Sequence, residues 1–205
     1  VNADGTTDLG VVTVEILPVN DAPTIEDAAL TVTEDNILSG QALGLDVEGD
    51  DLVYKLFAGA SSGNVVITAD GAWVYTPNPD FEGVDSFQIL VTDIEGASAT
   101  QIVSVTVTGT NDVPVVVAGG ARGAVTEDLS PGVTGQLTAT DADAGASLVW
   151  SGSAEGLYGA FAIAGDGAWS YTTGAGAEAL AAGQSVTERF TATVTDDQGA
   201  TASKV

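Results

Sequence analysis

At 205 residues the chain has room for one or two domains, and 44% apolar content lets it bury a core. Its 29 acidic residues against four basic ones give a formal net charge of −25, which excludes phosphate backbones and anionic membrane surfaces, both bound through Lys and Arg. With no Cys and no His, disulfides, thiolate zinc sites, cysteine nucleophiles and imidazole bases are excluded too. What remains is carboxylate, hydroxyl and carbonyl oxygen, the hard donors that suit Ca²⁺ or Mg²⁺.

Residues 1–19 carry a strand pattern in which Val12, Val14 and Ile16 alternate with Thr13 and Glu15. The stretch from Asp4-Gly5 to Pro23 aligns with Glu95-Gly96 to Pro114 at an offset of 91. Residues 1–19 therefore read as the last strand of an earlier copy, and the chain as an excerpt of a tandem array. Strand donation to a neighbouring copy is the sharper alternative, and it predicts a ladder partner for residues 6–18. No run approaches the roughly 18 apolar residues of a spanning helix, and none reads as a signal peptide.

From residue 20 onward the chain repeats itself. Asn20-Asp21-Ala22-Pro23 returns as Asn111-Asp112-Val113-Pro114, and Val32-Thr33-Glu34-Asp35 as Val125-Thr126-Glu127-Asp128. Asp70-Gly71-Ala72-Trp73 with Tyr75 returns as Asp166-Gly167-Ala168-Trp169 with Tyr171. Phe87, Val91, Thr92, Asp93 and Gly96 match Phe190, Val194, Thr195, Asp196 and Gly199. Co-linear matches with slowly drifting offsets mean two homologous domains, 20–110 and 111–205. The second lacks most of its last strand.

Period-two alternation dominates both copies. Phe87, Ile89 and Val91 share a face, as do Val103, Val105 and Val107 in a strand over 98–108. The Asp-Gly pairs at 70–71 and 166–167 mark hairpin turns. A short helical turn is expected over 175–182, in the second copy alone. Trp73, Tyr75, Trp169 and Tyr171 read as core or cross-strand residues, with a sugar-stacking platform as the minority reading. About seven strands per copy predicts an all-β fold of two tandem Greek-key β-sandwiches.

Tracing such a sandwich places the acids at strand ends. Glu34, Asp85, Asn111 and Asp112 fall at the exit end of the first copy. Asp141, Asp143 and Asp196 fall at the entry end of the second. Converging carboxylates repel unless a cation sits among them, and Ca²⁺ takes six to eight oxygens. Asn20, Asp21, Asp46, Glu48 and Asp93 form the equivalent entry set of the first copy, completed by an earlier one. Solvated turn residues are the competing reading, because Asp and Asn favour turns for backbone reasons. Asp46-x-Glu48-x-Asp50 is no EF-hand, since Asp51 takes the slot that needs glycine.

Residues 20–23, 33–35, 70–71 and 78–87 (Asn-Pro-Asp-Phe-Glu-Gly-Val-Asp-Ser-Phe) resemble the cadherin-like tandem repeats of large bacterial surface proteins. The second copy, with Asp141-Ala142-Asp143-Ala144-Gly145, Tyr158-Gly159, residues 166–171 and residues 179–184, is similar to the VCBS repeat of RTX-type adhesins. The resemblance spans nearly the whole chain. It implies a cadherin-like sandwich, calcium at junctions or loops, type I secretion to the bacterial cell surface, and an extender role supporting adhesion or biofilm formation. Two departures, Glu48 for the usual Asp and Gly145 for a further acid, weaken the loop site relative to the junction. Neighbouring repeats are the expected partners, without nucleic acid or membrane insertion. The alternatives are a carbohydrate or cell-surface binding module and a subunit of a strand-donating filament. An enzyme is not expected, because a sandwich of about 90 residues rarely encloses the cleft a paired-carboxylate hydrolase needs.

Overall fold

The structure is a computed structural model that describes residues 3–5, 12–117, 120–128 and 132–205. Apart from one 3₁₀ turn over Ala177–Ala179, its regular elements are all β-strands. They fall into two compact units, one of residues 1–32, 36–78 and 84–106, the other of residues 33–35, 79–83 and 107–205.

Seven strands belong to the first sequence copy: β1 (Ala28–Thr33), β2 (Leu38–Gln41), β3 (Val53–Ala58), β4 (Gly63–Ile67), β5 (Ala72–Pro77), β6 (Gly83–Thr92) and β7 (Ser98–Thr108). They form one sheet ordered β1-β7-β6-β3 and a second ordered β2-β5-β4. Bonds tying β1 to β7 advance together, from Ile102 N–H on Asp27 Oδ1 to Glu34 N–H on the Thr108 carbonyl, so these two strands run the same way. The inner positions of β6 over 87–91 and of β7 over 103–107 are apolar, with Phe87, Ile89, Val91, Val103 and Val105 all buried, and the buried polar Asp85 and Gln101 precede them.

Among its described residues the second copy has nine strands rather than seven: β8 (Val115–Val117), β9 (Gly132–Gln136), β10 (Thr138–Thr140), β11 (Val149–Ser151), β12 (Ser153–Glu155), β13 (Gly159–Ile163), β14 (Ala168–Thr173), β15 (Ala192–Thr195) and β16 (Thr201–Lys204). Its sheets are β12-β13-β14-β9, β11-β15-β16 and the pair β10-β8. The surplus comes from the added edge strand β12 and from the pair β10–β8, where the first copy has only the single bridge between Thr24 and Leu45, and a jog between β9 and β10 sends the Leu137 N–H to the Gly167 carbonyl. Ala42 makes the same bond to Gly71 in the first copy, so the jog belongs to the repeat.

Both expected hairpins form. In each, only the glycine takes a left-handed backbone, φ 89° at Gly71 and 87° at Gly167, while the preceding Asp does not. A second pair of glycines lies beneath the aromatic rings. A Cβ on Gly40, opposite Trp73 across β2–β5, would stand 2.2 Å from that indole. A Cβ on Gly135, opposite Trp169 across β9–β14, would stand 2.4 Å from its counterpart. Gly63 under Tyr75 and Gly159 under Tyr171 repeat the arrangement.

Three of the four aromatic residues are core and the fourth, Tyr171, is half-buried, which argues against a sugar-stacking platform: Trp73 is 4% exposed, Tyr75 0% and Trp169 7%. Trp73 meets Phe87 edge-on at 5.2 Å, and Phe161 stacks on Phe190 at 5.3 Å. The turn expected over 175–182 is confined to Ala177–Ala179. Of the strand expected over 6–18, residues 12–18 join no ladder in this chain, and residues 6–11 lie outside the described residues.

Candidate metal centre

The end of β1 starts the first set of acids. Glu34 is buried, and its Oε1 accepts from the Thr110 N–H and, at 3.1 Å, the Thr110 hydroxyl. The next residue, Asp35, turns the chain with φ 57°, and Asp80 does the same at 56°. This left-handed conformation is uncommon for any residue with a Cβ, and Asp is among those that tolerate it. The Asp80 N–H reaches Asp35 Oδ1 at 3.4 Å.

The segment Thr110-Asn111-Asp112 ties these residues to the second copy. Asn111 Nδ2 donates to Asp196 Oδ2 at 3.0 Å, and Asp112 N–H donates to Asp143 Oδ2 at 2.9 Å. Carboxylate oxygens of Glu34, Asp112 and Asp143 consequently lie within 4.8 Å of one another. Asp141 adjoins them: its Oδ1 accepts the Asp143 N–H at 3.0 Å, while its buried Oδ2 has no hydrogen-bond partner. All these residues lie in one compact unit, although Glu34 comes from the first copy of the sequence.

The electrostatics are those of a set of anions without a counter-charge. Burial raises the Asp112 carboxyl above its ordinary value, and the charges of Asp80, Glu34, Asp143 and Asp35 push it further the same way. Asp196 behaves oppositely. Burial pulls it upward, but Asn111 Nδ2 and the backbone N–H groups of Gln198 and Ala200 outweigh that and hold it low.

The entry set of the first copy repeats the geometry contact by contact. Asn20 Nδ2 donates to Asp93 Oδ2 at 3.0 Å, as Asn111 does to Asp196. The Asp21 N–H reaches Glu48 Oε2 at 3.4 Å, as Asp112 does Asp143. Asp46 Oδ1 accepts the Glu48 N–H at 3.0 Å, and its Oδ2 is buried and unpartnered, as in Asp141. Hydrogen bonding by Asn20 is the main reason Asp93 titrates below its ordinary value.

Asp85 is not gathered with these groups. Its two oxygens accept from the Ser61 N–H and hydroxyl, the Ser62 N–H, the Ser86 N–H and the Tyr75 hydroxyl, at 2.8–3.0 Å. A carboxylate with five donors of its own is a structural anchor, and its place at a strand end had made it look like a ligand. The sequence reading also passed over Asp35 and Asp80, two of the four acids that act on Asp112. The signal available was the turn sequence Asn78-Pro79-Asp80, which reads as backbone chemistry until its neighbours are known.

A family model described as bacterial cadherin-like domain matches the chain twice, at residues 20–109 and 111–205. No curated protein sequence matches it. Among solved structures, the chain is similar to Drosophila N-cadherin EC1-4 at 19% identity and TM-score 0.54, covering 90% of this chain and 48% of that one. For human CDH23 EC21-23 the identity is 19% and the TM-score 0.57, with coverages of 92% and 64%. For PcdhgB3 EC1-4 they are 15% and 0.61, with coverages of 89% and 48%. The chain thus spans about half to two thirds of the length of these structures, and at such identities the likeness is one of fold.

Proposed function

Because this chain belongs to the bacterial cadherin-like domain family, we propose that it is a calcium-rigidified extender segment of a bacterial cell-surface adhesin. The family is structural and adhesive in character rather than catalytic, and cadherin-like domains generally bind Ca²⁺. The observation that carries the reading is the duplicated donor set. Both copies aim one buried, unpartnered carboxylate oxygen, of Asp46 and of Asp141, beside an acid that accepts a backbone N–H from the Asn-Asp segment. A buried charged oxygen without a donor is costly unless a cation serves it.

Glu34, Asp112, Asp141 and Asp143 would hold the ion, with Asp35 and Asp80 adding negative charge around it. A bound Ca²⁺ supplies the positive charge that the set lacks. Since these ligands come from the end of the first copy, the connecting segment and the start of the second, occupancy fixes all three against one another. Extracellular calcium modules bind at about 10⁻⁴ to 10⁻³ M, so such sites fill outside a cell and empty inside it. Type I secretion and a role in biofilm adhesion rest on the motifs of the second copy that resemble VCBS repeats, at 141–145 and 166–171.

Calcium titration followed by calorimetry and small-angle scattering tests this. Calcium is expected to raise the melting temperature and lengthen the particle, and Asp143→Asn to weaken binding about tenfold or more. An unchanged maximum dimension with and without chelator removes the stiffening role. Unchanged heats of binding in the variant remove the site.

A further inference from the structure

The outer face of β3 departs from its counterpart in the second copy. β3 and β11 hold equivalent places, since the Tyr54 N–H bonds the Ala69 carbonyl at 3.1 Å as the Trp150 N–H bonds that of Gly165 at 2.9 Å. Burial alternates along β3, with Tyr54 in the core and Val53, Lys55 and Phe57 exposed. In the second copy Ser151 and Ser153 stand where the first has Lys55 and Phe57. The β3–β6 register slips between Leu56 and Ala58, so Phe57 faces no residue of β6. A bulge of this kind re-aims a side chain, and Phe57 is left 61% exposed. No other Trp, Tyr or Phe of the chain is exposed.

Lys55 is as exceptional by its charge. It is one of four basic residues set among 29 acids, yet no carboxylate of the described residues pairs with it. Across β3–β6, Thr92 lies opposite Val53, Leu90 opposite Lys55 and Gln88 opposite Ala58, so hydroxyl and amide groups flank the two side chains. We propose that Phe57 and Lys55 bind an acidic polysaccharide, the ring stacking on a pyranose face and the ammonium pairing with the carboxylate of a uronic acid residue.

Alternate residues of a strand stand roughly 6.6 Å apart, a span that one sugar residue and its carboxylate can bridge. The ring offers rigid apolar area at low entropic cost, and the single unpaired cation selects for negative charge on the ligand. A protein strand fits this place less well. The Tyr54 N–H is already held by Ala69, so the edge of β3 lacks the run of free main-chain groups that strand addition needs. One ring and one cation also fall far short of the roughly 1,200 Å² that a stable protein interface buries. A polysaccharide presents the same residue many times over, which compensates for a weak individual site. Acids elsewhere on the chain repel such a polymer, but beyond roughly 8 Å physiological salt screens them.

Amide chemical shifts of the isotope-labelled chain, titrated with trigalacturonic acid at about 0.15 M salt, test this. Shifts are expected at 53–57 and 88–92, alike in calcium and in chelator, because the site uses neither acid set. Phe57→Ala and Lys55→Gln should each weaken binding about fivefold or more. Phe57→Tyr and Lys55→Arg should keep it within about twofold. Both side chains are exposed, so unchanged melting of the variants serves as the folding control. The methyl ester of the same trimer should bind the parent no better than the acid binds Lys55→Gln. Shifts confined to other surfaces, equal binding of the ester, binding that requires calcium, or unchanged affinity in Phe57→Ala or Lys55→Gln overturns the proposal. A glutamate tripeptide that binds as tightly overturns the choice of sugar over peptide.

Discussion

The two sandwiches hold a central tyrosine by the same device and close around it to different degrees. In the first, Tyr75 is fully buried and its hydroxyl donates to Asp85 at 3.0 Å, a carboxylate that also takes four Ser donors. In the second, Tyr171 is half-buried and donates to Glu188 at 2.7 Å, which also takes the Tyr158 N–H and a backbone bond from Leu157. Burial is the larger cause of the raised hydroxyl of Tyr171, pushed up to about 12, and the adjoining carboxylate adds to it. What differs is the neighbouring strand, β6 running ten residues from Gly83 in one copy and β15 four residues from Ala192 in the other. Closure follows from strand partnership rather than from the residues at the latch.

The largest expected effect sharpens that contrast. Phe87→Ala should cost about 3–5 kcal/mol, the usual range for a buried phenylalanine, and Phe190→Ala about half as much, read by urea unfolding with a probe specific to each sandwich. Equal losses would break the comparison. Next, Asp85→Ala should cost about 2–3 kcal/mol, because it strands buried donors, and Glu188→Ala about 1–2 kcal/mol on the same grounds. If Glu188 proved the more costly, the donor count would be the wrong measure of the latch.

Calcium compares two acid sets instead of two cores. At ten to a hundred times Kd, occupancy of one site should add about 1.4–2.7 kcal/mol to stability. Among the described residues, Glu34 gives the 34–112–143 set an acid that the 20–93 set lacks. Titration should therefore show the first filling at lower calcium. Asp141→Asn should remove the tighter step and Asp46→Asn the weaker one.

The smallest effect is that of pH. Asp85 and Glu188 are pushed up by burial, but their donors outweigh this and hold both below their ordinary values. Each therefore contributes stability that is fully present above its unfolded pKa, about 4, and is lost as pH falls through the lowered folded value. Acid titration of Asp85→Asn should be flatter than that of the parent below about pH 4.

Much of the fold was written in local pattern. The alternation over 98–108 gave β7 to the residue, and the repeated Asp-Gly pairs gave both hairpins, because each depends on neighbours in sequence. The short β15 was not legible, since Phe190 to Thr195 carries the same alternation as Phe87 to Thr92 and differs only in what lies beside it. At the candidate site, Glu34, Asp112, Asp141 and Asp143 followed from the repeat and a strand trace. Asp85 could not be sorted from them, because the Ser61 and Ser62 donors that engage it lie 24 and 23 positions upstream. Asp35 and Asp80 were hidden by the opposite effect, as turn residues whose backbone role is plain and whose charge matters only in company.

The glycines beneath the rings have a consequence for how such a chain can diverge after duplication. At Gly40 and Gly135 even one methyl group would collide with an indole, so neither member of the pair can change first without loss. Trimming the ring leaves a hollow, and filling the hollow ejects the ring. Compensated double changes are the only open route, and they must arise twice over, once in each copy. Ring and hollow should therefore be inherited as a unit while the loops around them wander.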